Sequence, residues 1–180
     1  MKSKSIMLLL AVAVLLIGSA FAQVEVTGAY QFSRIYQNGA VVNAAPGWSG
    51  SLYVPFLGGL GVVGEATGTS VNSARVNTYG AGLEYKLKSQ KLFKTFQPYV
   101  LSTVVDVRYS VNGVIANVPG VQSGAGIANV PGVQSGAGVD WKLSKHFALR
   151  TGGEYLYASS LNAVPSPNSI RPIAGITYRF

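Results

Sequence analysis

Between Val24 and Phe32 the chain reads VEVTGAYQF, with Val24, Val26, Gly28, Tyr30 and Phe32 in one phase and Glu25, Thr27, Ala29 and Gln31 in the other. A period of two puts alternate side chains on opposite faces of an extended strand, here one apolar and one polar. The alternation recurs along the chain. Trp48, Gly50, Leu52, Val54 and Phe56 alternate with Ser49, Ser51, Tyr53 and Pro55, and Val62, Gly64 and Ala66 with Val63, Glu65 and Thr67. Tyr79, Ala81, Leu83, Tyr85 and Leu87 oppose Gly80, Gly82, Glu84 and Lys86; Tyr99, Leu101, Thr103, Val105, Val107 and Tyr109 oppose Ser102, Asp106 and Arg108. Val139, Trp141 and Leu143 oppose Gly138, Asp140 and Lys142; Leu149, Thr151, Gly153, Tyr155 and Tyr157 oppose Arg150, Gly152 and Glu154; Ala174, Ile176, Tyr178 and Phe180 oppose Gly175, Thr177 and Arg179. The pattern predicts eight strands and no helix beyond the N-terminal segment.

Each segment has about the length, roughly 9 to 11 residues, that a tilted strand needs to cross a bilayer. The connections alternate too. Short ones at Leu57–Leu60, Ser89–Lys94 and Ser144–Phe147 separate long ones at about Ile35–Gly47, Gly68–Asn77, Ser110–Ser135 and Ala158–Ser169. Short turns at one end and long loops at the other are the layout of an all-β, eight-stranded antiparallel up-and-down transmembrane β-barrel.

Charge fixes which face points where. All acidic residues, Glu25, Glu65, Glu84, Asp106, Asp140 and Glu154, fall on the polar face, together with Lys86, Arg108, Lys142, Arg150, Arg171 and Arg179. A carboxylate turned toward lipid is costly, so this face is expected to line the lumen, where acids and bases pair. Eight strands leave an interior that side chains can fill. The network is then either a packed polar core or the lining of a narrow pore. Tyr30, Phe32, Trp48, Phe56, Tyr79, Tyr85, Tyr99, Tyr109, Trp141, Tyr155, Tyr157, Tyr178 and Phe180 are expected on the outer face, where aromatic girdles sit at headgroup level.

The first residues, MKSKSIMLLLAVAVLLIGSAFAQ, place Lys2 and Lys4 before an apolar run from Ile6 to Ile17 and an A-x-A-like site ending at Ala22. They predict a cleaved signal peptide over residues 1–22 and one mature domain over 23–180. Losing Lys2 and Lys4 takes the formal charge from +8 to +6. No basic run or RNA-binding aromatic motif accompanies that charge, so no nucleic-acid partner is expected. The chain has no cysteine, which excludes a disulfide framework and thiolate metal sites. With a single histidine and no Asp-rich calcium loop, neither a metal nor a cofactor is expected. GGLG at Gly58–Gly61 sits in a hairpin, without the strand, turn and helix of a dinucleotide site.

The leader, the hairpin GAGVDWKLSKHFALRTGGEYLY (Gly136–Tyr157) and the ending GITYRF (Gly175–Phe180) together resemble the small outer-membrane proteins of the OmpA transmembrane-domain and OmpX type, the outer membrane protein beta-barrel domain group. The resemblance covers the whole mature chain. It implies residence in the bacterial outer membrane, contact with outer-membrane lipid and lipopolysaccharide, and biogenesis through periplasmic chaperones and the barrel-assembly machinery. In this family a terminal aromatic preceded by alternating apolar residues is the assembly signal, a pattern that Ile176, Tyr178 and Phe180 match. The chain ends on its last strand, so no peptidoglycan-binding domain is expected after it. Enzymes of the group use a histidine at the outer rim, whereas His146 falls in a short turn, far from an outer-leaflet substrate. The expected role is therefore non-enzymatic, envelope structural or surface-interacting, with a narrow porin for ions or small solutes as the alternative.

Three of the long loops, IYQNGAVVNAAPG, the segment Ile115–Gly138 and ASSLNAVPSPNS, carry no charge, whereas Arg34 and Arg75 stand at outer strand ends, either as ordinary solvated rim residues or as partners of lipopolysaccharide phosphates. Ile115–Gly138 is IANVPGVQSGAG twice. Only the second copy runs on into Val139, so its SerGlyAlaGly is expected to start strand six and the first copy to be surplus loop. Closure entropy grows only with the logarithm of length, and an even insertion keeps strand phase.

Overall fold

A computed structural model describes residues 24–37, 40–71, 74–87, 95–111, 129–158 and 168–180. The expected leader, the first copy of the doubled phrase, the Ser89–Lys94 turn and the side chain of Tyr109 lie outside what it describes.

Eight strands follow in order: β1 (Glu25–Gln37), β2 (Ala40–Leu57), β3 (Leu60–Val71), β4 (Ala74–Lys86), β5 (Phe96–Val111), β6 (Asn129–Lys142), β7 (Phe147–Ala158) and β8 (Asn168–Arg179). Each pairs antiparallel with its neighbours in sequence, and β1 closes on β8 from Glu25↔Arg179 to Tyr36↔Asn168. Closure leaves no strand edge unpaired, the condition for a sheet in a medium without water. The amide of Phe180 donates to the Val24 carbonyl at 3.1 Å and extends the seam by one bond.

The outer surface is apolar and aromatic. Phe56, Phe96, Trp141, Phe147, Tyr178 and Phe180 are exposed beside the short turns, and Tyr30, Phe32, Trp48, Tyr79, Tyr155 and Tyr157 are exposed toward the other end. Along β2, Phe56 and Trp48 are eight residues apart. At about 3.3 Å per residue and a tilt of about 40°, that separates the two rings by roughly 20 Å, close to the apolar band of a membrane barrel. Between them Val26, Val62, Leu83, Val100, Val104, Val133, Leu149 and Ile176 face outward.

Two of the expected long loops are strand. β1 and β2 pair as far as Gln37↔Ala40, and β3 and β4 as far as Val71↔Ala74, so each connection shrinks to two residues. Period two and β-branched residues continue through Val41, Val42, Thr67, Thr69 and Val71, which favours extended pairing. The connections at 112–128 and 159–167 remain the long ones. β6 also starts earlier than expected, at Asn129, so ten residues of the second copy, Asn129–Gly138, belong to the wall.

The β2–β3 turn needs its glycines. Gly58 and Gly59 have φ of 58° and 107°, in the left-handed region.

Strand β5 faces the opposite way from the expectation. Tyr99, Leu101, Thr103, Val105 and Val107 are buried in the lumen, while Val100, Ser102, Val104 and Arg108 are exposed. The phase turned outward, Val100, Ser102, Val104, Asp106 and Arg108, is the more polar of the two, so alternation alone points the wrong way here; Tyr99 sets the facing. Its register partner is Gly138, which pairs with Gly152 on β7. A Cβ at Gly138 would lie 2.6 Å from the Tyr99 hydroxyl, and one at Gly152 2.5 Å from it. The two glycines leave the recess that the tyrosine ring occupies.

Candidate functional site

The barrel's chemistry is concentrated in its lumen. Near the short-turn end, β1 supplies Glu25, β4 Glu84 and Lys86, β6 Asp140, β7 Arg150 and β8 Arg179, all buried. Lys86 Nζ contacts Glu25 and lies 3.0 Å from Asp140 and 3.3 Å from Glu84. Arg150 donates to Asp140 from Nε at 2.7 Å and Nη2 at 2.9 Å, and to Glu84 from Nη1 at 3.2 Å and Nη2 at 2.9 Å. Arg179 Nε is 3.2 Å from Glu25, and its Nη2 donates to Gln97 Oε1 at 3.0 Å. Three acids thus face three bases. Such a group offsets its desolvation only through this density of charge-assisted hydrogen bonds.

Two tyrosines fill the space around the charges. Lys86 Nζ stands 4.5 Å from the Tyr53 ring centre, and the Arg150 guanidinium 4.1 Å from that of Tyr99. The Tyr53 hydroxyl donates to the Gly59 carbonyl at 2.7 Å. Desolvated cation–π contacts of this kind contribute about 2 kcal/mol each.

A second group lies further along the lumen. Gln134 Nε2 donates to Glu65 at 2.8 Å and to Glu154 at 2.9 Å, bridging two buried carboxylates. Arg171 donates to Ser169 at 3.1 Å, Thr67 at 3.2 Å, Thr78 at 3.3 Å and Gln134 Oε1 at 3.4 Å. Thr27, Ser49, Glu65, Arg150 and Glu154 border a void with room for about one water molecule. An apolar cluster of Val76, Val105, Val107 and Leu156 adds to the filling.

The expected lumen residues therefore divide. Glu25, Glu65, Glu84, Lys86, Asp140, Arg150, Glu154, Arg171 and Arg179 are buried inside, and Lys142 is half-buried in the same phase. Asp106 and Arg108 are not in the lumen. The inverted phase of β5 turns them outward, where they pair at 3.6 Å with side chains about half exposed. Tyr99, expected in a girdle, is buried in the interior for the same reason. Gln134 and Tyr99 were missed as lumen groups; inward glycines at 138 and 152 are the signal that a large side chain must come from a neighbouring strand.

His146 belongs to the β6–β7 turn. Its Nδ1 donates to the Arg179 carbonyl at 2.9 Å, and its ring stacks on Tyr178 at 6.0 Å. Tyr178 in turn meets Phe147 and Phe180 edge-on at 5.2 and 4.9 Å. Ile176, Tyr178 and Phe180 form one outward row.

No family model and no curated sequence matches the chain, but solved structures do. Neisserial surface protein A superposes with a TM-score of 0.67 at 19% identity, over 87% of this chain and 97% of that one. The attachment invasion locus protein Ail of Yersinia pestis gives 0.59 at 16%, over 88% and 99%. The N-terminal β-barrel domain of Pseudomonas aeruginosa OprF gives 0.59 at 14%, over 89% and 100%. At these identities the likeness is one of fold: a closed, eight-stranded barrel of the outer-membrane type.

Proposed function

We propose that this protein is a non-enzymatic integral barrel of the bacterial outer membrane, exported by a cleaved leader over residues 1–22, with an envelope structural or surface-interacting role. The observation that carries the reading is the packing of the described lumen residues: near the short-turn end Lys86 and Arg150 are buried, joined through Asp140 and Glu84 and packed on Tyr53 and Tyr99. A barrel whose described interior is packed in this way leaves the outer surface and the loop-end strands as the working parts. Partners on this reading are outer-membrane lipid along the aromatic belt, lipopolysaccharide at the loop-end collar, periplasmic chaperones in transit, and the assembly machinery reading Ile176, Tyr178 and Phe180.

The test is conductance of the refolded mature protein across a planar bilayer, with heat-dependent gel mobility as the check on folding. A folded barrel that passes no current is the expected result. Discrete openings altered by Arg150→Ala or Glu154→Ala would make it a narrow porin instead.

A further inference from the structure

The outward turn of β5 places charge where the sequence pattern suggested none. Among the described strand residues, the charges facing outward are Arg34, Arg75, Asp106 and Arg108, three cations and one acid, all toward the loop end. Three of the four gather on β4 and β5. Arg108 stands opposite Asn77, and Arg75 opposite Ser110 two residues on, so the two arginines are diagonal neighbours on one face. Diagonal positions put Cβ atoms roughly 7 Å apart, near enough for two guanidiniums to reach one group and to repel each other without it. Asp106 holds Arg108 from below at 3.6 Å, and the Tyr79 ring lies 5.5 Å from its guanidinium. This bracing spares Arg108 the entropy of a free side chain while leaving it about half exposed.

We propose that Arg75, Asn77 and Arg108 form a clamp for the phosphate of a phosphorylated outer-leaflet lipid. Paired guanidiniums match phosphate oxygens bidentately, and the Asn77 amide adds a neutral donor. The surface below identifies the ligand as a lipid: Leu83, Val100 and Val104 run down the same face, with Val104 69% exposed, so acyl chains find an apolar track under the headgroup. Tyr79 marks the boundary between the two. The inference rests on the membrane reading above but not on the state of the lumen, so a conducting barrel would leave it standing.

The experiment is native mass spectrometry of the refolded mature protein from neutral detergent, with diphosphorylated lipid A or its enzymatically dephosphorylated form added. The wild type is expected to retain the phosphorylated lipid about tenfold better, as two charge-assisted pairs imply. Arg75→Gln with Arg108→Gln should remove that preference, while Arg34→Gln, on β1, leaves it unchanged. Were the double variant to fail the gel-mobility check, Arg75→Gln alone should still lower the preference several-fold. Equal retention of both lipids would overturn the proposal, as would an equal loss in Arg34→Gln, which would mean diffuse collar charge. Displacement of the lipid by millimolar inorganic phosphate would also overturn it, by showing a site for the free anion.

Discussion

Replacing Arg150 by Met keeps the apolar stem of the side chain but removes the guanidinium, and with it the contact with the Tyr99 ring and four charge-assisted hydrogen bonds, two each to Asp140 and Glu84. Bonds to charged groups contribute about 1.5–3 kcal/mol apiece, so the gross loss is large. Part of it is recovered, because Lys86 stays 3.0 Å from Asp140 and 3.3 Å from Glu84. One cation then faces three buried carboxylates with only Arg179 to help, and a broken buried pair costs about 3–5 kcal/mol. Urea unfolding in lipid vesicles, followed by gel mobility, measures this. With a slope of about 2 kcal/mol per molar, the midpoint should fall by roughly 1.5–2.5 M. Adding Glu84→Gln should restore part of the loss, with a coupling of about 1 kcal/mol or more. A midpoint shift below about 0.5 M, or strict additivity of the two changes, would refute the view that the network holds the short-turn end together.

Further expectations concern the wall. Gly152→Val puts a side chain into the recess of Tyr99 and should destabilise by about 1–3 kcal/mol in the same assay. Deleting one twelve-residue copy gives the same polypeptide whichever copy is removed; it shortens the β5–β6 connection from seventeen residues to five and should change stability by only about 1 kcal/mol, read as an unchanged gel shift and a near-identical urea midpoint. Asp140→Ala should behave differently in the two backgrounds: the two-copy chain should gain protease cleavage in the β6–β7 turn, the one-copy chain only a lower midpoint, and identical cleavage maps would count against this. Phe180→Ala, which strips an exposed terminal ring, should slow assembly into membranes in a time course yet leave the unfolding free energy from urea titration within about 0.5 kcal/mol, as surface changes do.

Strand number, topology and the facing of most strands are readable from alternation because a charge on one face of a membrane strand settles its phase. β5 escapes that logic. Its charges, Asp106 and Arg108, stand at the aromatic boundary, where an exposed ion pair is tolerated, and below them valines occur in both phases. What fixes the phase is a recess made by Gly138 and Gly152 on other strands, a fact of shape that a one-strand pattern does not contain. The extended hairpins were legible and went unread: Asn38-Gly39 between alternating flanks is a strong two-residue turn signal. The pairing inside the lumen lies beyond the sequence altogether, since Lys86 could reach Glu25 or Asp140 only once eight strands had closed in one register.

That register is marked by the residues that follow the doubled phrase. Asn117–Gly126 repeats Asn129–Gly138 letter for letter, so either stretch offers β6 the same ten wall residues, Gln134 and the glycine recess included. The difference comes just after: the wall copy is followed by Val139 and Asp140, the other by Ile127 and Ala128. Seating the wrong copy would set alanine among Lys86, Arg150 and Arg179 and carry twelve residues through to the opposite side of the bilayer. Asp140, buried among Lys86, Arg150 and Arg179, thus doubles as a topological label: the charge that binds the barrel together also favours keeping the spare copy on the loop side.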